Sequence, residues 1–95
     1  MSDYIIDRDP DAQYNFGYYL ESYSASMRTI CNTTRQHINS ARPNIQDSNG
    51  ISALDTLEDY INTILSTLPD TEDFGKRQKV LALRIKDAED YKFTR

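Results

Sequence analysis

The feature that most constrains this chain is an apolar seam that runs for almost four heptads without a helix-breaking proline. Phe16, Leu20, Tyr23, Met27, Ile30, Thr34, Ile38 and Ala41 follow one another at spacings of 4, 3, 4, 3, 4, 4 and 3. Alternating steps of three and four keep side chains on one face of an α-helix, in the pattern of a coiled-coil seam. Asp9-Pro10 supplies the start: the carboxylate can cap exposed amides, and proline fits a first turn whose N–H has no partner anyway. Pro43 supplies the stop, because the residue before a proline is driven out of the α region. The spacing predicts a first helix over residues 10–42. Gly17 is its one interior weak point, at a cost of about 1 kcal/mol relative to alanine.

The remainder predicts two shorter helices. Asp47-Ser48-Asn49-Gly50 is turn chemistry. Ser52 with Asp55 has the spacing of a capping box, and Leu54, Leu57, Ile61, Ile64 or Leu65, and Leu68 make an apolar stripe. Pro69 is expected to end that helix, giving residues 52–68. A third helix over 71–92 then opens with Glu72 and Asp73, where negative charge favours the helix dipole. Residues 1–9 have no helical period, and Tyr4-Ile5-Ile6 could form an extended arm. The expected fold is all-α and a single domain over residues 1–95: three helices, one long and N-terminal and two in a hairpin.

Length supplies an assembly argument. A 32-residue helix is about 48 Å long, while the two shorter ones reach about 24 and 33 Å. Short companions would leave Phe16, Leu20 and Tyr23 wet, forfeiting roughly 1.5–3 kcal/mol each. The expected outcome is a homo-oligomer, an oligomeric helical bundle in which the long helix pairs with a second copy.

Charge and composition exclude several function classes. Fifteen acidic against eleven basic residues give a net charge of −4, which disfavours duplex nucleic acid as a partner. The charges are segregated. Arg28, Arg35, His37 and Arg42 form one basic run, and Asp55, Glu58, Asp59, Asp70, Glu72 and Asp73 an acidic middle. Lys76, Arg77, Lys79, Arg84 and Lys86 form a second basic run. No apolar stretch predicts a membrane span or a signal peptide. One cysteine, Cys31, makes no internal disulfide, so the expected location is the cytoplasm.

Catalytic and metal chemistry finds no constellation. Cys31 and His37 are six apart, about 240° around a helix, and no second histidine exists. Asp7, Asp9 and Asp11 alternate like a calcium loop, but Ala12 and Tyr18 occupy its two demanding positions. Gly17, Gly50 and Gly75 stand alone, so there is no phosphate loop. No enzyme, cofactor or metal is expected. The unusual residue type is tyrosine, seven in all, with Tyr14/Tyr18 and Tyr19/Tyr23 each four apart. A flat apolar ring with a polar tip suits a subunit interface, a partner surface or base stacking.

Residues 61–89, INTILSTLPDTEDFGKRQKVLALRIKDAE, contain Leu68-Pro69-Asp70, then Arg77, Lys79 and Leu81-Ala82-Leu83, then Asp87-Ala88-Glu89. This stretch resembles the helical hairpin of small phage counter-defence proteins, the anti-CBASS and anti-Thoeris sponges. It departs from them in Asp73-Phe74-Gly75, which looks like an insertion, in having Asp90, Tyr91 and Phe93 where apolar and Trp positions are usual, and in its long first helix. The resemblance implies non-catalytic oligomers that trap a cyclic nucleotide signal between subunits. Tyr14, Tyr18 and Tyr19 would offer faces to bases, and Arg28, Arg35, Arg77, Lys79 and Arg84 charge to phosphates. The expected function is thus stoichiometric sequestration, of a cyclic nucleotide on this resemblance. The alternative is an acidic inhibitor, immunity or antitoxin-like protein that blocks a protein partner. A purely structural subunit is a third reading.

Overall fold

A computed structural model describes residues 9–94. All regular structure among them is helical: α1 (Pro10–Ala41), a short 3-10 turn (Arg42–Asn44) and α2 (Ser48–Thr94). There are two long helices where the sequence predicts three. The arm proposed at the N-terminus lies outside the described residues, except for Asp9.

Local chemistry explains both helix starts. Asp9 Oδ1 accepts from the amides of Asp11 and Ala12 at 3.0 and 3.2 Å, capping α1. Asp47, rather than Ser52, caps α2: its Oδ2 accepts from the Gly50 amide at 2.9 Å, and its carbonyl accepts from Ile51 at 3.1 Å. The stretch that looked like a turn is therefore the first turn of α2. Asp47 lies five residues before Ser52 and caps the amides that come first, so Ser52 falls inside the helix.

The main correction concerns Pro69, which lies inside α2 and does not end it. A proline in a helix interior costs about 3 kcal/mol through one lost hydrogen bond and a ring clash. Pro69 is exposed, so its ring lies on the outer face of the helix and displaces no buried side chain. Leu68 just before it and Gly75 just after it are both buried, which holds the helix on either side of the break. Tertiary burial outweighs local propensity here. The assembly argument from helix length falls with this finding, since α2 has 47 residues against 32 for α1.

The buried positions among the described residues are Gly17, Ser24, Cys31 and Ile38 on α1, and Leu54, Ile61, Leu68, Gly75 and Ala82 on α2. Within each helix they recur every seven residues, the repeat of coiled-coil packing. The sequence-derived seam is thus displaced by one residue at three points. Phe16, Tyr23 and Ile30 are 50%, 41% and 55% exposed, while Gly17, Ser24 and Cys31 take their places.

The described residues divide into two compact units, 9–22 with 71–94 and 23–70. The second is a helical hairpin with an apolar core: Cys31, Ile38, Leu54 and Ile61, with Met27, Ile45, Ile64 and Leu65 packed against them. Its polar edge is clamped by Arg42, which meets Asp55 at 2.9 Å and Glu58 at 2.7 Å. These two carboxylates hold the Arg42 guanidinium above its ordinary pKa, the Asp55 hydrogen bond contributing most.

The first unit is built differently. Its antiparallel segments meet backbone to backbone at Gly17 and Gly75. A Cβ placed on Gly75 would lie 2.7 Å from the Gly17 carbonyl oxygen, and one on Gly17 would collide with the Gly75 carbonyl oxygen and come within 2.8 Å of Lys79 Cγ. Only glycine at both positions allows this approach. Two outcomes follow. Gly17→Ala should lower stability by about 1–3 kcal/mol in thermal or urea unfolding, the overpacking exceeding the roughly 1 kcal/mol gained in helix propensity. Pro69→Ala should raise the melting temperature, since it restores an amide donor without disturbing a buried side chain.

Candidate functional site

The first unit carries the residues that sequence reasoning marked most heavily. At its centre is Lys79. Its Nζ donates to Glu21 Oε1 at 2.6 Å and lies 5.4 Å from the Tyr14 ring centroid and 5.8 Å from that of Tyr18. An ammonium over ring faces gains from their negative quadrupole. Glu21 is the main cause of the raised Lys79 pKa, with burial opposing it and both tyrosines adding to it. Gln13 Nε2 donates to Gln78 at 2.8 Å, and Lys86 Nζ to Asp11 at 3.0 Å, two further polar links between the helices.

The structure thus brings Tyr14, Tyr18 and Lys79 together, with the ammonium already held by Glu21 and Tyr18 60% exposed. Arg77 pairs with Asp73 one turn earlier on the same helix. Arg35, in the other unit, donates to Asn62 Oδ1, and Arg28 is half-buried there. Tyr19 is exposed. Of the marked cations, Arg77 and Arg84 border a shallow depression of about 360 Å³, with Lys76, Val80 and Leu81. All five lie on α2 alone. Residues from one helix cannot enclose a ligand, so this is a surface face and not a binding cavity.

That face is the feature which the charge and aromatic patterns did not reveal. Phe74 and Leu81 are seven apart on α2, and Val80 adjoins them. Phe16 of α1 meets Phe74 edge to face, with ring centroids 6.5 Å apart and planes at 81°. All four side chains are exposed, at 40–50%. Among the described residues of this unit only Gly17, Gly75 and Ala82 are buried; Leu20 and Ile85 are half-buried, and Phe16, Phe74, Val80 and Leu81 sit outside. The available sequence signal was the row of small residues Gly17, Ser24 and Cys31 at heptad spacing, which fixes the register that puts Phe16 on the flank.

Among the described residues no group of three or more His, Cys, Asp or Glu comes together to hold a metal ion, and no helix is long and apolar enough to cross a membrane. Comparison with protein-family models, curated proteins and solved structures finds no match to the chain.

The Lys79 cluster has a defined pH signature. Its raised folded-state pKa means that the stabilisation is complete below the ordinary lysine value of 10.5 and is lost as pH rises through the higher folded value. Lys79→Gln should therefore lower the melting temperature at neutral pH. The gap from wild type should persist up to that ordinary value and close above it, as read by circular dichroism melts across an alkaline pH series.

Proposed function

We propose that this protein is a non-catalytic binding module that grips another polypeptide stoichiometrically, through the apolar face of Phe16, Phe74, Val80 and Leu81. The observation that carries this reading is the exposure of these four neighbouring side chains beside a core too narrow to receive them. Contiguous exposed apolar side chains with a polar border are characteristic of protein-binding surfaces. Lys76 and Arg84 form the border, and Arg77 beside them is paired to Asp73. A basic border selects an amphipathic helix flanked by acidic residues, which seats its apolar stripe on the face and its carboxylates on the rim.

An anion trap of the kind implied by the resemblance to cyclic-nucleotide sponges makes a different demand. Its cations must be available to phosphate and its aromatic faces to bases. Lys79 is held by Glu21, Arg77 is paired with Asp73, and the faces of Tyr14 and Tyr18 are turned to Lys79. A ligand would have to replace each of these contacts, which favours a polypeptide partner.

The test is a titration of fluorescently tagged peptides into the whole protein. One is an amphipathic helix with leucines at three- and four-residue spacing and glutamate flanks, and the other has the same apolar stripe with lysine flanks. The acidic peptide should bind about tenfold or more tightly than the basic one, a difference of about 1.4 kcal/mol. Val80→Asp should abolish binding while leaving the helical content intact. Failure of both peptides to bind would overturn the reading. A cyclic di- or trinucleotide that raised the melting temperature in proportion to RT ln(1 + [L]/Kd) would replace it with anion trapping.

A further inference from the structure

We infer that the turn of α2 from Ser66 to Pro69 is a hinge at which the first unit opens by itself while the second stays folded. The backbone ladder is weakened there. Pro69 has no N–H to give the carbonyl of Leu65. The two carbonyls before that one accept from side chains: Ser66 Oγ donates to Thr63 and Thr67 Oγ1 to Ile64, both at 2.7 Å. Three consecutive carbonyls, those of Thr63, Ile64 and Leu65, therefore either accept from a hydroxyl or lack an amide four residues on. Hydroxyls that bond back to the preceding turn loosen and bend a helix, and proline is a usual site of sharp kinks.

This turn lies where the two compact units part. Their division crosses α2 after Asp70, one residue past the proline, and α1 after Ser22. There α1 reads Glu21-Ser22-Tyr23-Ser24-Ala25-Ser26, with three serines and no leucine or isoleucine. Serine is a weaker helix former than alanine or leucine. Both helices are thus at their weakest in local terms where one unit gives way to the other.

The units also differ in what holds each of them closed. The second buries Cys31, Ile38, Leu54, Ile61 and Leu68. Among the described residues of the first, only Gly17, Gly75 and Ala82 are buried. Two glycines and an alanine remove little apolar area from water, and that area sets the hydrophobic stabilisation. Polar links do not make up the difference. Lys86 and Asp11 have side chains 48% and 74% exposed, where an ion pair contributes little, and Lys79–Glu21 is the better-sheltered pair. Regions with few buried apolar contacts open below the global transition, in contiguous cooperative blocks. Phe16 and Phe74 lie on different helices of the first unit, so opening takes their apolar face apart. The hinge thus switches the unit between a form that presents this face and one that does not. The opening follows from the core and the hinge, and it holds whether or not the face binds a polypeptide.

The test is native-state amide hydrogen exchange of the full chain, followed residue by residue by NMR under conditions where exchange reports the opening equilibrium. Amides of 14–22 and 75–85 should exchange together. Their protection should lie about tenfold or more below that of the best-protected amides of 27–41 and 52–65, a difference of about 1.4 kcal/mol. Ile61→Val trims the core of the second unit and should lower protection there about fivefold. It should leave the first unit's amides unchanged, because their opening does not require the second unit to unfold. Pro69→Ala returns an amide donor to the ladder and should narrow the gap between the units about threefold or more. Three results would overturn the proposal: equal protection in the two units, an equal loss in both from Ile61→Val, or a gap that Pro69→Ala leaves unchanged. Protection that rises smoothly from Gln13 to Ser22, instead of one value for the block, would be fraying of a helix end and would overturn it as well.

Discussion

The close approach of Gly17 to Gly75 governs the rest of the first unit. Two helix backbones in contact leave no volume between them for a side chain larger than hydrogen. That restriction sets the helix spacing locally and therefore decides which residues can face inward. Ala82 fits and is buried, while Phe16 and Phe74 do not fit and stack on each other at the flank. A narrow core gives little hydrophobic stabilisation, because stabilisation scales with the apolar area removed from water. The unit relies instead on side-chain links across its surface: Lys79 to Glu21, Gln13 to Gln78, and Lys86 to Asp11. The second unit has the opposite character. Ile38, Leu54, Ile61 and Leu68 fill heptad positions there beside Ser24 and Cys31, and its polar clamp at Arg42 lies beside an apolar core.

This contrast gives the functional reading its physical basis. Where the core is wide, large apolar side chains are consumed by folding. Where it is narrow, they remain on the surface and are available to a partner. The charged groups follow a similar division. Lys79 is held within the first unit by Glu21 and two tyrosine rings, whereas Lys76 and Arg84 border the apolar face. Cations held by carboxylates are costly to redirect to phosphate, while cations beside exposed apolar surface can select a partner by charge.

Some of this was legible in the residues. The 3-4 spacing from Phe16 to Ala41 specifies a long helix, Asp9-Pro10 its start and Pro43 its end, and α1 runs from Pro10 to Ala41. Leu54, Ile61 and Leu68 were correctly placed on an inward stripe. The register of α1 was not legible from hydrophobicity, because a scale that rewards Phe16, Tyr23 and Ile30 is blind to small residues that permit close packing. The Tyr14–Tyr18–Lys79–Glu21 cluster joins residues up to 65 positions apart, a juxtaposition that spacing along one helix cannot reveal.

The sequence by itself determined that the described chain is helical, where its first helix begins and ends, and that acidic and basic residues occupy separate stretches. Those properties are local: they follow from periodicity, capping and order along the chain. Tertiary structure alone decided that α2 continues through Pro69 and that glycine, serine and cysteine rather than phenylalanine, tyrosine and isoleucine line the α1 seam. A proline's local penalty of about 3 kcal/mol can be outweighed only by burial of distant side chains on both sides of it, and a glycine's value as a contact exists only when another backbone arrives against it.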